Sequence, residues 1–168
     1  MSKLMALAVS IAVLGGVWAF LAFHTPLSAA VLVWVGFIAW GCYFAAGADN
    51  AALQKTIAGM AFGAVMAGIA LYLVGSHMFD SLGSLGIDVI IAITVFPLVI
   101  VASMSLLSVV PANVYGYAAT AGYALSKADA GSVTAMDVSN PVLLVIVSTV
   151  LGAVFGMISG KVAGMLGK

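Results

Sequence analysis

Six stretches of this chain are apolar for roughly the length that a bilayer demands, and short polar segments separate them. The first is Leu4–Phe23. A helix rises about 1.5 Å per residue, so about 20 apolar residues cross a hydrocarbon core. The second stretch, Pro26–Gly47, opens on Thr25 and Pro26, which read as an N-cap and a first helical position. Ala48–Lys55 is short and polar, and a third stretch follows from Thr56 to Gly75. Ser76–Gly86 carries His77, Asp80 and several Gly and Ser, which predicts a loop. The fourth stretch, Gly86–Val109, holds Pro97 near its middle. Val110 and Pro111 break it, and a fifth, shorter one runs from Pro111 to Leu125. After the longest polar loop, Ser126–Ser139, Asn140 and Pro141 resemble a cap plus proline and open the sixth, to Lys161. The pattern predicts an all-α integral membrane protein of one domain with six transmembrane helices.

Composition makes the membrane reading firm. The chain is 65% hydrophobic and 6% charged, with a mean hydropathy of +1.30. A soluble domain carries about 25% charged residues, and nothing here could cover a water-facing exterior. The single apolar run after Lys3 is too long for a signal-peptide core and lacks a small-x-small cleavage site, so it reads as a retained first helix. The charges are five Lys and five Asp, balanced and without a basic run, which gives no footprint for nucleic acid. With the N-terminus inside, Lys3, Lys55, Lys161 and Lys168 are cytoplasmic and only Lys127 is outside, so both termini are expected in the cytoplasm.

An internal echo organises the chain. Gly36–Asp49, GFIAWGCYFAAGAD, returns 80 positions later as Gly116–Asp129, GYAATAGYALSKAD. Gly36 meets Gly116, Ala39 meets Ala119, Tyr43 meets Tyr123, Ala48 meets Ala128 and Asp49 meets Asp129. GAV at Gly63–Val65 returns at Gly152–Val154, at a slightly longer offset. Two halves, 1–80 and 81–168, each with three helices, must then lie upside down relative to one another, as in many transporters and channels.

Gly36, Ala39 and Tyr43 share one helix face, as do Gly116, Ala119 and Tyr123. Two readings stand: a packing seam, the commoner use of small-residue stripes, or a solute path narrowest at Gly36 and Gly116 with Tyr43 and Tyr123 at opposite mouths. Trp40, opposite Thr120 in the echo, is a constriction in the second reading and core in the first. Gly152, Gly156, Gly160 and Gly164 recur every four residues, and Gly59 and Gly63 make a shorter version, a signal for close helix packing within the chain or in a homo-oligomer. Mild polar residues gather in the fourth and fifth stretches, from Thr94 through Ser103, Ser105 and Ser108 to Asn113, Tyr115, Tyr117 and Thr120. They either satisfy local backbone or form a half-open site beside Pro97 and Pro111.

Several chemistries find no foothold. No Lys or Asp falls mid-crossing; Asp88 stands at a favourable helix N-terminus, and His24 and His77 lie at helix ends or in loops. No metal-ligand cluster, phosphate loop or catalytic triad is present, and the one cysteine, Cys42, sits in an apolar run. The chain is therefore expected to be neither an enzyme nor a cofactor binder. A channel or facilitator for a small neutral or weakly charged solute is the expected role, against an ion-coupled transporter or a membrane scaffold.

The run WVGFIAWGCYFAAGAD, with Pro111 and GYAATAGYA later, resembles a family of small bacterial inner-membrane proteins catalogued as domain of unknown function 1097. Its members share a Trp-rich second helix ending in an aromatic-Phe-Ala-Ala-Gly-Gly motif. Here the motif is Tyr43–Gly47, and Ala48 replaces the second Gly, so the turn there is expected to differ. The resemblance implies a bacterial inner membrane and brings no activity or binding residues.

Overall fold

A computed structural model of the chain describes residues 1–127 and 130–167. Ala128, Asp129 and Lys168 lie outside them, and with them two of the echoed pairs. Among the described residues six α-helices carry the fold: α1 (Lys3–His24), α2 (Val33–Ala45), α3 (Asn50–Gly75), α4 (Leu85–Ile100), α5 (Val110–Ser126) and α6 (Pro141–Leu166). No strand occurs among the described residues. α1, α3, α6 and the stretch Leu85–Ser103 are long and apolar enough to cross a bilayer. The protein is a multi-pass, all-α membrane protein.

The second and fourth apolar stretches are not single helices. Pro26–Ala29 forms a 3₁₀ turn capped by Thr25, extended backbone follows, and α2 begins only at Val33, leaving 13 helical residues. The reason is distant in sequence: the Leu32 amide donates to Ser148 Oγ on α6 at 2.8 Å instead of to its own helix. α4 ends at Ile100, and two 3₁₀ turns, Val101–Ser103 and Ser105–Leu107, occupy the rest of the expected fourth crossing. There Ser103 and Ser108 return their hydroxyls to Ile100 and Ser105 carbonyls, the local competition that unravels a helix. The polar interval Ala48–Lys55 is largely helical instead, because Asp49 accepts from the Ala52 amide at 2.7 Å and starts α3 at Asn50. Asn140 caps α6 as its sequence predicts, accepting from the Val142 amide at 2.8 Å.

Small residues are prominent among the buried positions, and many large apolar side chains face outward. Ala39, Ala64, Ala67, Ala112, Ala119 and Ala153 are buried, whereas Phe20, Phe23, Ile93 and Phe96 face outward. Lipid solvates large apolar side chains as well as a core does, so helices in a membrane gain by close backbone approach instead. α3 packs on α5 and α6 packs on α2, while α1 leans on α6, α4 leans on α3, and α3 crosses α6.

Candidate functional site

Two glycine crossings fix the middle of the molecule. At one, Gly152 of α6 sits directly on the Gly36 backbone of α2, with no room for a side chain at either glycine. The other face of Gly36 is covered by the indole of Trp18, which is wholly buried and donates Nε1 to the Val33 carbonyl at 2.9 Å. At the second crossing, Gly63 of α3 rests on the Asn113 and Tyr117 backbone of α5, and Gly116 of α5 rests on the Met60 backbone. A Cβ on Gly59 would come within 2.7 Å of both Ala112 Cβ and Asn113 Oδ1.

The expected path residues thus divide between two seams. Trp40 is buried against Phe155, and its Nε1 donates to Ser159 Oγ on α6 at 2.9 Å. A Cβ on Gly156 would lie 3.0–3.1 Å from the Tyr43 and Trp40 rings, and one on Gly160 would make ordinary contact with Phe44 at 3.6 Å. Tyr43 donates its hydroxyl to the Ala48 carbonyl at 2.6 Å. On the other seam Thr120 is buried and bonds back to the Gly116 carbonyl at 3.0 Å. Tyr123 lies apart from both crossings, half-buried near the end of α5, with Lys127 Nζ 3.5 Å from its hydroxyl.

Asn113 has a definite local task. Pro111 has no N–H to offer the Leu107 carbonyl four residues back, and the end of α4 strands the Leu98 carbonyl. Asn113 Nδ2 donates to both, at 3.1 and 2.7 Å. Its Oδ1 is buried and has no partner among the described residues. Broken backbone at membrane depth needs such internal donors, since lipid provides none.

Sequence reasoning grouped Thr94 and Tyr117 without pairing them, and it missed Ser10, Met60, Thr149 and Ser159, which also tie the helices together. Ser10 Oγ donates to the Ser159 carbonyl at 2.7 Å, Thr94 and Tyr117 hydroxyls meet at 3.0 Å, and Thr149 Oγ1 lies 3.9 Å from Met60 Sδ. One signal was available. Met60 and Thr149, like Gly63 and Gly152, stand 89 positions apart.

Cavities open at the two ends of the bundle. One, of about 440 Å³, lies where α1 and α3 begin and α2 and α6 end, lined by Lys3, Tyr43, Asp49 and Lys161 among others. The second, of about 450 Å³, lies where α3 and α5 end, beside Tyr72, Ser76, Ser132 and Thr134. Among the described residues no group of three His, Cys, Asp or Glu could hold a metal ion.

No curated protein and no solved structure matches the chain. A family model described as protein of unknown function (DUF1097) matches residues 8–164, nearly the whole length, and the protein belongs to that family.

Proposed function

We propose that the protein is a membrane facilitator for a small neutral or weakly charged solute, built from two inverted three-helix halves, 1–80 and 81–168, that cross the bilayer six times. The observation that carries this reading is the pair of cavities at opposite ends. The first is framed by the ends of α2 and α6 and the second by the ends of α5 and α3, which are corresponding elements of the two halves. The helix pairings mirror each other in the same way: α3 on α5 against α6 on α2, and α4 on α3 against α1 on α6. Two like halves facing opposite ways suit a protein that must meet water on both sides.

Between the cavities the bundle is closed at Gly36, Gly116, Met60 and Thr149, all buried. Passage requires the α2–α6 and α3–α5 seams to part. Asp49 and Asp88 are exposed and lie at helix N-termini, and among the described residues no carboxylate is buried to couple an ion. The expected home is the bacterial inner membrane, with both termini in the cytoplasm.

The test is solute-dependent swelling of proteoliposomes after osmotic shock with urea, acetamide, glycerol, formate and acetate. Ser76→Cys in a Cys42→Ala background places a thiol at one mouth, and a bulky thiol reagent should slow the flux. Absence of swelling with every solute, from folded and inserted protein, overturns the proposal. A second reading, a scaffold or homo-oligomer, is favoured by one observation. Gly41 and Ala45 of α2 are exposed beside an apolar groove of about 330 Å³ that reaches Tyr115 of α5, a bare small-residue face suited to another helix. A stoichiometric partner without flux would decide for it.

A further inference from the structure

The cavity at the Lys3 end has a chemistry that the transport reading does not use. Its walls come from the first turns of α1, the last turns of α6 and the α2–α3 turn. Lys3 and Lys161 both line it, and neither forms an ion pair among the described residues. The one carboxylate in the lining, Asp49, is already engaged in capping the Ala52 amide. The Tyr43 hydroxyl is likewise committed to Ala48. Asp49 keeps its negative charge while capping, so the lining holds two ammonium groups against one carboxylate and the cavity is net cationic.

What lies beneath them is apolar. Leu7 stands four residues after Lys3 on α1, and Met157 four residues before Lys161 on α6, and both line the same cavity. Residues four apart share a helix face, and four residues rise about 6 Å. Each helix therefore sets a cation at the membrane boundary and an apolar side chain one turn deeper, with Phe44 beside them. Gly164 lies in the wall with nothing within 4 Å of where its Cβ would stand, so the space is open there. A site charged at its rim and apolar below fits an amphiphile better than a free ion.

We propose that this cavity binds the phosphate headgroup of an anionic phospholipid, with Lys3 and Lys161 pairing the phosphate and Leu7, Met157 and Phe44 receiving the start of the acyl region. Lysines at a membrane surface attract anionic lipid through charge alone, and a built cavity adds position to that attraction. The assignment does not depend on solute passage: lipid is held whether or not the protein conducts.

The experiment is retention of phosphatidylglycerol against phosphatidylcholine by the full-length protein, read by native mass spectrometry from mixed-lipid nanodiscs. The wild type is expected to retain phosphatidylglycerol preferentially. The double substitution Lys3→Gln, Lys161→Gln should lower that retention about tenfold or more. Lys55→Gln removes one lysine charge outside the cavity and, compared with Lys3→Gln or Lys161→Gln alone, should leave the preference in place. Gly164→Leu fills the cavity without touching a charge and should also abolish the preference. Thermal unfolding in detergent checks that each variant is folded. Equal retention of the two lipids, or a preference that survives Gly164→Leu in folded protein, overturns the site in favour of diffuse surface charge. Displacement of phosphatidylglycerol by millimolar inorganic phosphate overturns the lipid assignment and makes the ligand a free anion.

Discussion

The Thr149 hydroxyl of α6 donates to the sulfur of Met60 on α3 at 3.9 Å, and both side chains are wholly buried where the two helices cross. Sulfur is a weak acceptor, so volume matters more here than the bond. Thr149→Val should cost less than about 1 kcal/mol, whereas Met60→Ala should cost about 2–5 kcal/mol through the cavity it leaves. Detergent unfolding of the two variants checks this, and equal losses would contradict it.

The glycines fall into two groups that alanine separates. A methyl at Gly63 or Gly152 meets neighbouring backbone, and the helices must spread, at about 1–3 kcal/mol. Gly41 and Gly122 have open space, so Ala there should stabilise monomeric protein by about 0.5–1 kcal/mol through helix propensity. Melting temperatures of the four single variants in detergent give the comparison. A loss at Gly41 as large as at Gly63 would show that its face is occupied in the purified protein.

Ala48 adopts φ 58°, the left-handed region that favours glycine, and it follows Gly47 at φ 122°. Ala48→Gly should relieve the strain and raise stability by about 0.5–1 kcal/mol net of the added unfolded-state freedom. Ala46→Gly, at φ −81°, should lower it. Paired unfolding curves would expose the prediction if both changes moved the same way.

Asn113→Ala removes the donor for two stranded carbonyls and should destabilise the α4–α5 turn by about 1–3 kcal/mol. Asn113→Asp keeps the shape without the amide and should fail similarly, while Ser108→Ala, at a half-buried site whose hydroxyl bond is exposed, should cost far less. Protease susceptibility near Ile100–Val109 reports the local opening. Full protection in Asn113→Ala would show that the amide is dispensable.

In the loop before α6, Ser139 holds the Asp137 carboxyl below its ordinary range, chiefly through its hydroxyl at 2.6 Å and then through its amide at 2.9 Å. A lowered carboxyl pKa stabilises the loop above the ordinary value near 4, and that contribution is lost as pH falls through the folded value. Ser139→Ala should move the Asp137 titration up toward the ordinary value in an NMR pH series. An unmoved midpoint would assign the shift elsewhere.

By itself the sequence determined what depends on local chemistry and length. Apolar runs near 20 residues specify helices in a bilayer, and α1, α3 and α6 follow from them. Asn140 with Pro141 announces the start of α6, and the absence of buried charge can be read directly. The breaks before α2 and after α4 were decided by tertiary structure, because their causes are distant: Ser148 takes the Leu32 amide across 116 positions, and Asn113 answers the Leu98 carbonyl across 15. A hydropathy pattern cannot distinguish a helix from irregular backbone whose polar groups are satisfied by a neighbouring helix. The same holds for the seams. Gly36 and Gly152 are visible as small residues in the sequence, but only the fold lays one on the other and closes the space with Trp18.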